Sequence, residues 1–296
     1  MNQPAPPLPS PTPAETGNGL SGLRVCAFES RKGADLRALI ERMGGTATIA
    51  PSMREIPLTD NPLALEFGER LLSGGIDIVV FLTGVGARAL ADVLQTRYAL
   101  SDVISALNQR VVVVRGPKPA VVLREWKVNI DIQVPEPNTW RDLLRAVEQA
   151  IPLAGKQIAV QEYGIPNEEL YAGLRALGGT VLPVPVYRWE LPLDTSPLRN
   201  AVRSTIAGDF DLLMFTSAQQ LRNVLQIAGE EGGREAWLAA ARRCVVVSIG
   251  PTATETLIAE GLPPDIEPEH PKMGHMVVAA GKQARALINV AKNRVV

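Results

Sequence analysis

Short runs of β-branched and apolar residues alternate with stretches of helical periodicity along most of the chain. Six segments share this form. The first half holds LRVCAFESRKGADLRALIERMGG, IDIVVFLTGVGARALADVL and QRVVVVRGPKPAVVLREWKV. The second half holds KQIAVQEYGIPNEELYAGLRALGG, FDLLMFTSAQQLRNVL and RCVVVSIGPTATETLIAEGL. Each opens on an apolar run, bends through small residues, and continues with helical spacing. Strands alternating with helices of this length predict parallel sheets covered on both faces. Gly44, Gly178 and Gly261 follow three of the helical stretches and are expected as left-handed C-caps.

The two halves repeat each other. MGGTATIAP at Met43–Pro51 matches LGGTVLPVP at Leu177–Pro185, and from Gly44 to Gly178 is 134 residues. The same 134-residue offset carries FLTG with Gly84 onto FTSA with Ala218, and Gly116-Pro117 onto Gly250-Pro251. Three anchors at one offset indicate a duplication. Proline marks two candidate connections: Pro51, Pro57 and Pro62 bracket one segment, and Pro183, Pro185, Pro192 and Pro197 bracket its equivalent. Both segments are expected to be extended, because proline and the residue before it avoid helix. A simple tandem would cut near residue 153, where IPLAGK offers a very short connection. If the proline-bracketed segments are the connections instead, the organisation is a proline-rich tail over 1–21, one α/β domain from 22–50 plus 193–296, a second over 58–183, and connectors at 51–57 and 184–192.

Composition narrows the class. With 296 residues and 46% hydrophobic side chains, two domains fit better than one core. A formal net charge of −1 gives no basic field for nucleic acid, so any anionic ligand must be held by local groups. Cys26 and Cys244 lie in apolar runs and are expected as reduced core thiols. The first residues have neither a basic nor an apolar signal region and read as a disordered tail. The most apolar window is broken by Asp77, Arg88 and Asp92, which argues against a membrane span. The expectation is a soluble, cytoplasmic protein.

Ligands of open parallel sheets bind beyond the carboxyl ends of the strands, where helices begin. Six turns occupy that position: Ser30–Asp35, Thr83–Arg88, Arg115–Ala120, Tyr163–Glu168, Thr216–Gln219 and Gly250–Thr254. Their main-chain N–H groups can hold carboxylates without a basic surface. The residues placed in contact with such a ligand are Ser30, Thr83, Gly84, Val85, Gly86, Arg115, Gly116, Lys118, Tyr163, Gly164, Thr216, Ser217, Ala218, Gly250, Thr252 and Thr254. Arg115 and Lys118 would add charged contacts to carboxylates. Neither Thr83-Gly-Val-Gly nor RGPKP completes a nucleotide-binding motif. His270 and His275 flank Pro271 with no cysteine nearby, so no metal is expected. On the second connector, Tyr187 and Trp189 should share one side of an extended segment, and by itself Tyr187 reads as a packing residue.

The order and spacing of FTSA, of IGPTAT followed by LIAEGL, and of VYRWELP resemble the uroporphyrinogen-III synthase family, with TGVGAR, VRGPKP and QEYG similar to one bacterial branch. The likeness runs from about Leu23 to the C-terminal helix. It implies the discontinuous division, with two flavodoxin-like domains joined by a two-stranded antiparallel connector. It also implies that hydroxymethylbilane, which carries eight carboxylates, is cyclised without a cofactor to uroporphyrinogen III. Water is lost, and ring D is inverted through a spiro intermediate. Tyr187 matches the tyrosine that assists departure of the hydroxyl as an acid, a role open to a phenol protonated at neutral pH. The family's threonine after the last glycine turn falls on Ala253, flanked by Thr252 and Thr254. A monomer is implied, with hydroxymethylbilane synthase as a transient partner.

Two other classes remain on the residues alone. A non-catalytic tetrapyrrole or small-anion sensor would keep the fold, but the expected domains leave no segment for a DNA-binding module. A periplasmic-type solute receptor would need an export signal, which the first residues do not provide.

Overall fold

The computed structural model describes residues 19–58, 61–162, 164 and 166–294. Most of the proline-rich segment and Tyr163 lie outside the described residues. The strands in chain order are β1 (Arg24–Ala27), β2 (Thr46–Ile49), β3 (Arg54–Pro57), β4 (Ile78–Phe81), β5 (Val111–Val114), β6 (Ile132–Gln133), β7 (Gln157–Gln161), β8 (Thr180–Val184), β9 (Tyr187–Glu190), β10 (Leu212–Phe215) and β11 (Val245–Ser248). Contacts divide the chain into two compact units. One is discontinuous, from the described part of Met1–Ser52 with Leu193–Val296, and the other is continuous, Met53–Pro192.

In the discontinuous unit a parallel sheet runs β11-β10-β1-β2. Its inner strand LLMF and its edge strand VVVS are buried at every position, as a sheet covered on both faces requires. Alternate residues serve the two faces. Val25, Leu212, Met214, Val245 and Val247 pack with Leu36, Ile40, Met276, Val277 and Ala280 of two helices. Cys26 and Cys244 are buried thiols, and burial pushes Cys244 up to about 11.

The continuous unit carries the larger sheet, β6-β5-β4-β7-β8, also parallel. Val79, Phe81, Val112 and Val114 face Leu90, Leu94 and Leu123, whereas Ile78, Val80, Val113, Ile158 and Val160 face Leu143, Val147, Tyr171 and Leu174. Beside this sheet the same unit holds a two-stranded antiparallel ribbon, in which Arg54 pairs with Glu190 and Glu55 with Trp189. Arg54 Nη2 closes the pair on Glu190 at 2.6 Å.

The duplication extends to groups that the sequence motifs do not mark. Asp77 Oδ2 accepts the Gln157 N–H at 2.8 Å, and Asp211 Oδ2, 134 positions on, accepts the Arg24 N–H at 3.0 Å. Asp131 and Asp265, again 134 apart, accept the N–H groups of Val112 and Val246, both at 2.8 Å. Four carboxylates thus satisfy N–H groups at or next to the starts of β7, β1, β5 and β11. Gly44, Gly178 and Gly261 end their helices with φ of +83°, +89° and +72°, the left-handed conformation expected of them.

The offset slips by one residue in the first strand of each repeat. Thr46 pairs with Arg24 and Thr180 with Gln157, so the threonines are 134 apart and their partners 133. Glu29 therefore corresponds to Glu162, each the second residue past the equivalent of Ala27.

Candidate functional site

In the continuous unit, Thr83 leaves β4 in an extended conformation and caps the helix Gly84–Leu94 by accepting the Gly86 N–H on Oγ1 at 3.0 Å. The Ala87 N–H reaches the Thr83 carbonyl at 3.0 Å. The amides of Gly84 and Val85, the first two of the helix, are those that no intrahelical bond can use. Gly84 and Gly86 are buried, while Val85 is 42% exposed. Both glycines are needed for space. A Cβ at Gly84 would lie 2.7 Å from the Lys118 carbonyl oxygen, and one at Gly86 would strike the Gln161 amide.

The Gln161 amide shows how the two units solve one problem differently. Its Oε1 accepts the Thr83 N–H at 3.2 Å. In the discontinuous unit Gln220 serves the position one residue earlier in the repeat, with Oε1 accepting the Thr216 N–H at 2.7 Å and Nε2 donating to Thr216 Oγ1 at 2.7 Å. Gln220 stands 134 positions after Gly86. Where the helix supplies the amide, position 220 has a side chain. Where the strand supplies it, position 86 has none.

Tyr187 is 3% exposed, and its phenol lies 3.3 Å from Thr83 Oγ1. Its ring meets Trp189 edge-on, with centroids 5.3 Å apart, so the two aromatics share one side of β9 as expected. Gly164, at φ +95°, lies against both rings: a Cβ there would meet the indole Nε1 and come within 2.9 Å of Tyr187 Cε2. The structure thus brings together Thr83, Gly84, Val85, Gly86, Gly164 and Tyr187. Lys118 and Gly116 adjoin them through the helix Pro117–Glu125. Pro117 and Pro119 have no N–H, so Lys118 supplies the only amide of that first turn before Ala120 bonds Gly116. The Arg115 amide bonds Phe81 at 3.0 Å.

In the discontinuous unit Thr216, Ser217 and Ala218 lead into the helix Ala218–Glu230, and Thr216 Oγ1 bonds the Glu29 carboxylate. Ser30 Oγ accepts the Ser52 N–H at 3.1 Å. The last turn begins at Gly250, where an added Cβ would lie 2.9 Å from Pro271 Cβ. Ala253 is buried and Thr252 exposed. The Thr254 hydroxyl is engaged by Ser248 Oγ at 2.8 Å and by Glu267. The exposed hydroxyl at this turn is thus that of Thr252. His270 and His275 meet edge-on at 5.4 Å. Among the described residues, no group of three or more His, Cys, Asp or Glu side chains is placed to hold a metal, and no helix is long and apolar enough to cross a membrane.

Sequence reasoning passed over Glu29, Gln161, Gln220 and Glu162. Glu162 is 6% exposed and accepts the Tyr171 hydroxyl at 2.7 Å. Burial pushes its carboxyl up, against the opposing effect of the Tyr171 bond. A carboxyl raised on folding contributes stability that is complete below its unfolded pKa and is lost as pH rises through the folded value. Glu162→Gln keeps an acceptor for Tyr171 and should therefore raise stability at neutral pH by about 1 kcal/mol, with little gain at pH 4. Denaturant titrations at the two pH values check this, and an equal gain at both would contradict it.

These elements define a duplicated α/β protein of two parallel-sheet units with an antiparallel ribbon. More particularly, the chain belongs to the uroporphyrinogen-III synthase HemD family, whose model matches residues 34–278. It is 27% identical over 267 residues to the uncharacterised protein YjjA of Bacillus subtilis, covering 90% of this chain and 97% of that one. It is also 27% identical over 248 residues to a Methanothermobacter thermautotrophicus protein provisionally named a uroporphyrinogen-III synthase, covering 84% and 93%. In fold it is similar to a mutant uroporphyrinogen III synthase of Thermus thermophilus, with a TM-score of 0.69, 24% identity, and 90% and 99% of the two chains covered.

Proposed function

We propose that the chain is a uroporphyrinogen-III synthase, closing hydroxymethylbilane to uroporphyrinogen III with loss of water and inversion of ring D. Family membership supports the substrate class. The observation that carries the chemistry is the Tyr187 phenol at 3.3 Å from Thr83 Oγ1, at the head of the Gly84–Leu94 helix. A hydroxyl proton donor stands beside the Gly84 and Val85 amides, which suit a carboxylate of the same ligand.

In this reading Tyr187 gives its proton to the departing hydroxyl, which leaves as water. The cationic pyrrole so formed is attacked by the substituted carbon of ring D, giving the spiro intermediate. Cleavage of the original bond to ring D and re-bonding at its other side invert the ring. The proton then lost from the tetrapyrrole carbon balances the one that Tyr187 supplied. In the continuous unit the amides of Gly84, Val85 and Lys118 hold substrate carboxylates. Gly116 lets the backbone come close in the same unit.

Tyr187→Phe removes one hydroxyl and leaves the Thr83 cap in place. It should lower kcat about 100-fold, the low end of what a positioned acid contributes, with KM little changed. A variant as fast as the parent would remove Tyr187 from the reaction.

A further inference from the structure

Glu29 sits just past β1, and its carboxylate gathers four donors. Oε1 accepts the N–H groups of Arg31 and Lys32, both at 3.0 Å. Oε2 accepts the Thr216 hydroxyl and the Gln220 amide, the latter at 3.2 Å. Two turns at the carboxyl end of the sheet are therefore tied to one internal anion. Little slack lies beneath them, because Phe28 and Phe215 are fully buried and stack at 4.9 Å. Ser52 pins the first turn from its other side, with its hydroxyl on the Phe28 carbonyl at 2.9 Å and its N–H on Ser30.

The corresponding carboxylate of the continuous unit behaves differently. Glu162 is buried and accepts the Tyr171 hydroxyl. The duplication has kept a carboxylate at one position in both units, facing the turns in one and buried in the other. This asymmetry matters for a ligand that repeats the same charged groups around its length. A tetrapyrrole with eight carboxylates bears two per ring and fits a set of equivalent turns in more than one register. A fixed negative charge at one turn rejects the registers that would bring a carboxylate there.

We propose that Glu29 is a positioning residue that fills the anion-holding turn of the discontinuous unit from within the chain and thereby sets which turns receive substrate carboxylates. Only the consequence for substrate rests on the uroporphyrinogen-III synthase reading. The filled turn itself does not.

Glu29→Ala removes the atoms of one acetate ion. Thermal denaturation of the full-length Glu29→Ala chain in sodium acetate and in sodium chloride of equal ionic strength tests the filled turn without substrate. The melting point of the variant should rise saturably with acetate and not with chloride, while the parent responds to neither specifically. If the variant does not fold in chloride, acetate-dependent refolding is the same expected result. A variant no more sensitive to acetate than the parent would overturn the assignment. Glu29→Gln keeps the size of the side chain and removes its charge. With hydroxymethylbilane it should lower KM about three- to tenfold and lower kcat as well, because unproductive registers become available. A KM unchanged or raised is what a purely structural role gives, and it would remove Glu29 from substrate placement. A parent chain without turnover would count against the enzyme reading and leave the acetate result standing.

Discussion

Gly84→Val is expected to damage both the fold of the continuous unit and its activity. The new Cβ would stand 2.7 Å from the Lys118 carbonyl oxygen, 3.1 Å from its carbon and 3.2 Å from Val122 Cγ2. Two of these atoms are backbone and cannot rotate aside, so the helices Gly84–Leu94 and Pro117–Glu125 must separate. Overpacking of this kind costs about 2–3 kcal/mol, or roughly 5–10 °C in Tm for a chain of this size. The same two helices begin at the turns assigned to substrate carboxylates, so kcat/KM should fall at least about tenfold, mainly through KM. Arg31→Ala, a change in an exposed side chain, is the comparison and should leave KM within about twofold. Equal Michaelis constants in the two variants would argue against main-chain holding of the substrate.

Phe28→Ala should have the largest effect on stability. Phe28 is fully buried and stacked on Phe215 at 4.9 Å with 23° between the rings. Emptying such a site costs about 3–5 kcal/mol, a large share of the 5–15 kcal/mol that usually separates folded from unfolded chains. The loss falls directly under Glu29 and Thr216, whose turns rest on this pair. Calorimetry should show Tm lowered by about 10 °C or more. Phe28→Leu, which keeps most of the volume, should recover more than half of the loss. A Phe28→Ala chain within about 1 kcal/mol of the parent would mean that the site collapses without cost.

The parallel sheets were legible because buried strands such as IVVF and VVVV leave no polar alternation, and the following helices carry glycine stops. The duplication was legible through glycine and proline, which mark turns regardless of what the side chains around them do. The strand-leading aspartates were not, since Asp77, Asp131, Asp211 and Asp265 look like ordinary polar residues before apolar runs. Their role depends on strands distant in sequence, as Asp211 and Arg24 show. The exchange of the amide between Gln161 and Gln220 is likewise a tertiary solution. Its one trace in the sequence is Gly86 standing opposite Gln220 in the repeat. Tyr187 was readable from the residues only as packing, which its burial supports, and its place beside Thr83 depends on the pairing of β3 with β9. Glu29 escaped notice because ESRKG reads as a solvated turn until Thr216 and Gln220 are brought to it.

The most direct measurement gives the purified chain freshly prepared hydroxymethylbilane and separates the type III from the type I isomer of uroporphyrinogen. A uroporphyrinogen-III synthase yields type III almost exclusively, faster than spontaneous closure and in proportion to enzyme. Type I alone, formed at the spontaneous rate, would contradict the proposed function and leave a tetrapyrrole-binding or anion-binding protein of the same fold.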